Sequence, residues 1–149
     1  MIAVLPRGIL NNNPGNIKEL PGDKTQWVGE RATDDDPIFE EFKTPEDGIR
    51  ALGIILLNYR QKYGLRTIDQ IINRWAPPSD KNDTSSYVRH VAVRMGLRPS
   101  DEVNVENRDI LSALVESIIA HENSNYEYQK HVLTNGVDMA LESRHSRIA

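Results

Sequence analysis

From Thr44 to Glu122 the chain is punctuated almost throughout by helix starts and stops. Thr44-Pro45-Glu46-Asp47 offers a capping hydroxyl, a proline at the first helical position and acids in the first turn. Ile49, Leu52, Leu56, Tyr59 and Tyr63 follow at helical spacing, and Gly64 closes the segment. Thr67-Ile-Asp-Gln70 is a capping box that opens a short helix through Ile71, Ile72 and Trp75, which Pro77-Pro78 stops. A third helix is expected from about Thr84 to Met95, with Tyr87, Val88, Val91 and Met95 on one side and Gly96 after it. A linker, 97–106, leads to the helix that ends near Glu122, and a loop from Asn123 to Tyr128 leads to a last amphipathic piece with Val132, Leu133, Val137 and Leu141. Such a chain builds its core from packed helix faces. With 149 residues and 38% hydrophobic content it reads as one domain, 1–149. Its core is expected over about 7–142, with the tail from Ser143 frayed.

The first third reads differently. Asn11-Asn-Asn-Pro-Gly-Asn16 is turn chemistry. Thr25-Gln-Trp-Val-Gly29 and Ile38-Phe-Glu-Glu-Phe42 suggest a small β-hairpin with Thr33-Asp-Asp-Asp-Pro37 at its tip. The expected class is therefore α+β, mainly helical: a small hairpin beside a helical bundle.

Composition removes several functions. There is no cysteine, so disulfides, thiolate metal sites and a cysteine nucleophile are excluded. Net charge is −4, which argues against nucleic acid as the main partner. No segment is apolar for long enough to span a membrane. Met1-Ile-Ala-Val-Leu-Pro-Arg7 lacks the basic start and long apolar run of a secretory signal. Synthesis in the cytosol and exit by another route are expected.

The residue that stands out is Glu122. Leu111, Leu114, Val115, Ile118 and Ile119 share a helix face, and steps of four, three and four from Leu111 reach Glu122. A carboxyl thus sits where the apolar stripe should continue. Lost hydration and the negative helix end both favour its neutral form, the form a general acid needs. The plain alternative is a helix-end glutamate that reaches out to water. His121-Glu122 lacks the second histidine of a zinc-protease helix, because position 125 is Asn. Asp34-Asp35-Asp36 lacks the alternation and glycine of a calcium loop. No cofactor or metal is expected. Trp75 is either a core residue or a platform for an apolar sugar face, with Asn73, Asn82, Thr84 and Tyr87 near it in sequence.

Several stretches together carry a resemblance. These are Arg7-Gly-Ile-Leu-Asn-Asn-Asn-Pro-Gly-Asn-Ile17, Trp27-Val-Gly29, Phe42-Lys-Thr-Pro-Glu-Asp-Gly-Ile-Arg-Ala-Leu52, Ile71-Ile-Asn-Arg-Trp-Ala-Pro-Pro78, Asn82-Asp-Thr-Ser-Ser-Tyr-Val88 and Ile118-Ile-Ala-His-Glu-Asn123. In this order, over roughly residues 7 to 140, the chain resembles a family of phage and prophage virion proteins often labelled only structural protein. That family looks lysozyme-like. Ile118-Ile-Ala-His-Glu-Asn-Ser124 is similar to the catalytic helix of lytic transglycosylases, and Trp75-Ala-Pro with Thr84-Ser-Ser-Tyr87-Val88 resembles their glycan-groove motif. In those enzymes the glutamate helix comes first, so the resemblance implies a circular permutation. The family pattern carries Gly where this chain has Ser124.

The resemblance implies cleavage of the β-1,4 bond between N-acetylmuramic acid and N-acetylglucosamine in peptidoglycan. Glu122 would be the acid. A hydrolysing muramidase needs a second carboxylate, for which Asp36 is the first choice and Asp34 or Asp35 the next. Trp75, Tyr87, Asn16, Asn73, Thr84 and Tyr126 are the candidate substrate contacts, with Asn13 a weaker one. The expected partners are glycan strands and other virion proteins, the expected state a monomer. The place of action would be the periplasmic wall, reached from the virion or from the host cytoplasm at lysis. A virion protein that kept the fold without the chemistry, and a chitinase or chitosanase activity, are the alternatives.

Overall fold

The computed structural model describes residues 4–23 and 25–146 of the chain. Among the described residues six helices run in order: α1 (Arg7–Leu10), α2 (Pro45–Tyr63), α3 (Ile68–Trp75), α4 (Thr84–Met95), α5 (Arg108–Glu122) and α6 (Lys130–Ser146), with a 3-10 turn at Pro78–Asp80. Their ends follow the local chemistry. The Thr44 hydroxyl accepts from the Asp47 N–H, and Gly64 closes α2 at φ 64°. Both arms of the Thr67–Gln70 capping box form. Asp83 caps α4, Gly96 ends it at φ 68°, and Asn107 caps α5. The helix expected to fray from Ser143 continues through Ser146, and residues 147–149 lie outside the described residues.

The centre of the molecule is α2, whose Ile49, Leu52 and Leu56 are fully buried. It packs against α5 and α6, while α3 packs on α4 and α4 on α5. Each such aliphatic side chain contributes about 1.5–3 kcal/mol when it leaves water. Small residues set how closely α2 and α6 approach. A Cβ on Gly136 would lie 2.5 Å from Ile49 Cγ2, and one on Gly53 would lie 2.7 Å from Ala140 Cβ. A second, smaller apolar cluster holds Ile17, Phe42 and Ala51, and Trp27 and Trp75 pack against both clusters.

The expected hairpin forms no regular strands among the described residues, although its two segments meet antiparallel where the Arg31 N–H donates to the Glu41 carbonyl and the Lys43 N–H to the Gly29 carbonyl. Among the described residues the N-terminal third holds two isolated antiparallel bridges, Lys18 with Phe39 and Glu30 with Phe42. The molecule is therefore mainly helical with almost no strand. Side chains take several of the remaining backbone groups that a full ladder would have paired. Asn13 Nδ2 donates to the carbonyls of Ile17 and Glu40, and Asn13 Oδ1 accepts from the Ile17 N–H. Asn12 Nδ2 and Arg31 Nε both reach the Phe42 carbonyl. The Glu41 carboxylate accepts from the N–H groups of Asp35 and Asp36.

Candidate functional site

Where the N-terminal segment meets the ends of α3 and α5, a groove of about 500 Å³ opens. Asn16, Ile17, Phe39, Trp27, Tyr59, Trp75 and Glu122 are among the residues that line it. Glu122 is half-buried, at the last residue of α5. Its neighbours upstream, Ile118 and Ile119, are buried, so the apolar face delivers this carboxyl to the edge of the core.

Both oxygens of Glu122 are held. Asn16 Nδ2 donates to Oε1 at 3.0 Å, and the Tyr87 hydroxyl donates to Oε2 at 2.7 Å. Trp75 Nε1 in turn donates to the Tyr87 oxygen at 3.1 Å. Burial and the Glu122 charge push the Tyr87 phenol well above its usual range, so it remains a donor. The His121 ring stacks on Tyr87 with centroids 3.7 Å apart, and its Nδ1 lies 2.8 Å from His90 Nδ1. Burial first, and His90 second, hold His121 below the usual histidine range.

The segment that presents Asn16 is fixed from below. Asn123 Nδ2 donates to the Pro14 carbonyl at 2.7 Å and ties this loop to the end of α5. Gly8 permits the close approach, because a Cβ there would lie 2.6 Å from Asn123 Oδ1 and 2.7 Å from Asn16 Oδ1. Asn16 itself sits at φ 52°, a conformation asparagine tolerates. Ser124, where the resemblance drawn from the motifs leads one to expect Gly, adopts φ 53°, followed by Asn125 at 65°. The turn after Glu122 thus keeps left-handed geometry without the glycine.

The structure brings together Glu122, Asn16, Trp75 and Tyr87 among the residues singled out by sequence. Tyr87 is buried behind Glu122, a support for the carboxyl and not a wall of the groove. Five other candidates lie elsewhere. Asp36 is buried and held by Arg7 at 2.5 and 2.6 Å, by Asn11 Nδ2, and by the N–H groups of Ile38 and Phe39. Arg7 foremost keeps its carboxyl well below the usual range, and it does not line the groove. Asn73 is exposed and folds back onto Asp69 of its own helix. Thr84 is buried and donates to the Ala76 carbonyl at 2.6 Å. Tyr126 packs edge-on against Tyr128 and is not part of the groove lining. Asn13 is the buried staple described above. The acids that do line the groove, Asp23 and Asp80, carried no sequence signal, and Asp80 pairs with Lys18 at 3.8 Å. Among the described residues no group of three or more His, Asp and Glu side chains is placed to hold a metal ion.

No protein-family model matches the chain. Over 132 residues it is 43% identical to Protein P5 of Pseudoalteromonas phage PM2, a match that covers 89% of the chain and 80% of that protein. The chain belongs to the family of this phage protein. That membership agrees with the phage side of the resemblance drawn from the motifs. Among the described residues no helix is long and apolar enough to cross a membrane.

Proposed function

We propose that the chain is a phage enzyme that cuts the glycan strand of peptidoglycan by the lytic transglycosylase route. The observation that carries this is the half-buried Glu122, set in an aromatic-lined groove with each oxygen held by a named donor. In the proposed step protonated Glu122 gives its proton to the glycosidic oxygen as the bond to C1 breaks. The acetamido group assists, the 6-hydroxyl of the same muramic acid closes on C1, and its proton returns to Glu122. That route uses one acid. It fits a groove from which Asp36 is absent, and Trp75 and Trp27 offer flat apolar surfaces to sugar rings.

The same reading includes a circularly permuted lysozyme-like arrangement, because the Trp75 and Tyr87 motifs precede the glutamate helix. It also places the enzyme in the particle or in the host until lysis, with the periplasmic wall as its site of action. Glu122→Gln is expected to keep the fold and to lose wall clearing by at least about 100-fold, since it removes the transferable proton. Mass spectrometry of digested wall should show 1,6-anhydromuramic ends. Undiminished clearing by the variant would refute the assignment.

One observation favours a second reading, a virion structural protein without the chemistry. Both Glu122 oxygens already have protein partners, which also suits a purely structural carboxylate. Zymography of the purified protein on cell wall separates the two.

A further inference from the structure

A second hollow, of about 380 Å³, lies beside the groove. Trp27 and Ile55 belong to the linings of both, so the two hollows share a wall. Arg50, Ile54, Asn58 and Lys62 form its floor. They are spaced four apart along α2 and make one stripe about 18 Å long. Thr25, Gln26 and Val28 face them from the N-terminal segment.

The charge of the two hollows is opposite. The groove carries Asp23, Asp80 and Glu122 against Lys18. The second hollow is lined by Arg50 and Lys62 and, among the described residues, by no acidic one. Arg50 is anchored, because its Nε donates to Ser143 Oγ on α6 at 3.0 Å. Lys62 is exposed and forms no ion pair among the described residues.

We propose that this hollow is a carboxylate-binding subsite that takes the acidic peptide branch of the wall polymer while the sugar chain lies along Trp27 in the groove. The proposal rests on the glycan-cleaving reading above. Once the lactyl carboxyl of muramic acid is joined to peptide, the sugar chain itself offers no anion to the lysine. The peptide branch, joined by an amide bond to the lactyl carboxyl of muramic acid, carries carboxylates and peptide amides. Lys62 meets the first, and Asn58, Gln26 and Thr25 meet the second. The shared wall at Trp27 is where a branch would leave the sugar chain.

A muramyl tripeptide contains no bond that the proposed chemistry cuts, so the wild-type protein can be titrated with it by calorimetry. The comparison ligand is the same compound with its carboxylates amidated. The free acids are expected to bind about fivefold more tightly, a preference that weakens as salt is raised. Lys62→Gln should abolish that preference and leave binding of the amidated compound unchanged. Lys62→Glu should invert it. Equal affinity for the two compounds, or a preference that survives Lys62→Gln, overturns the subsite. Loss of the subsite with wall cleavage intact leaves the glycan-cleaving reading standing. A carboxylate preference in a protein that cuts no wall supports the subsite and removes the enzyme.

Discussion

Tyr87 shows how much one hydroxyl does in this molecule. It accepts from Trp75 Nε1 and donates to Glu122 Oε2, so the groove's indole and its acid are set by the same oxygen. Tyr87→Phe keeps the ring on His121 but leaves Trp75 Nε1 without its partner. We expect a stability loss of about 1–2 kcal/mol by urea unfolding. The initial rate of wall clearing should fall about 10- to 100-fold, because the carboxyl loses one of its two fixed donors. Asp36 is the opposite case. It is a carboxylate of the fold and not of the groove, and Arg7 holds its folded value below the ordinary carboxylate value of 3.8. Its stabilisation is complete above about pH 4 and is lost as pH falls below that. Asp36→Asn should therefore lower Tm at pH 7 while the pattern of wall fragments stays that of the wild type. A fragment pattern that changes in this variant would return Asp36 to the mechanism.

Among the elements, α2 and α6 are the pair whose separation is most constrained. Gly136 faces the Ile49 side chain, and a Cβ there also meets the Glu46 carbonyl at 3.1 Å. Gly136→Ala adds helix propensity worth about 1 kcal/mol but forces the two helices apart. The steric cost should win, with a net loss of about 1–2 kcal/mol in chemical unfolding. The N-terminal segment is the other instructive element. Its aromatic residues suggested strands, yet Asn12, Asn13, Arg31 and Glu41 satisfy its backbone through side chains. Residue-level β preference was outweighed by these partners, several of them more than ten residues away. The helices were legible because their caps are local. The bonds that close Thr44, Thr67 and Asn107 span two or three residues.

At the scale of the molecule, acidic side chains crowd beside the groove. Burial first, then the charges of Glu30 and Glu19, push Glu40 from 4.5 up to about 7. The folded protein thus holds that proton more tightly than the unfolded chain does. The associated stabilisation is fully present below about pH 4.5 and is lost as pH rises through 7. Glu40 is half-buried, and solvent screening leaves about 1 kcal/mol of effect. Glu40→Gln should raise Tm at pH 8 by a few degrees and leave it nearly unchanged at pH 4.5, as followed by thermal unfolding across that range.

By itself the sequence determined the starts of α2 and α3 and the ends of α2 to α5, but not α1 or the end of α6; it also determined that Glu122 closes an apolar face and that Trp75 stands before Pro77-Pro78. Those properties depend on neighbours within a turn or two, and period and capping express them directly. Only the tertiary structure decided which donors meet Glu122. Asn16 lies 106 residues from it in the chain and Tyr87 lies 35 away. It also decided that Asp36 belongs to Arg7, 29 residues off, and not to the groove. Contacts over such separations leave no periodic trace, because they form when whole elements pack and not when a single segment folds.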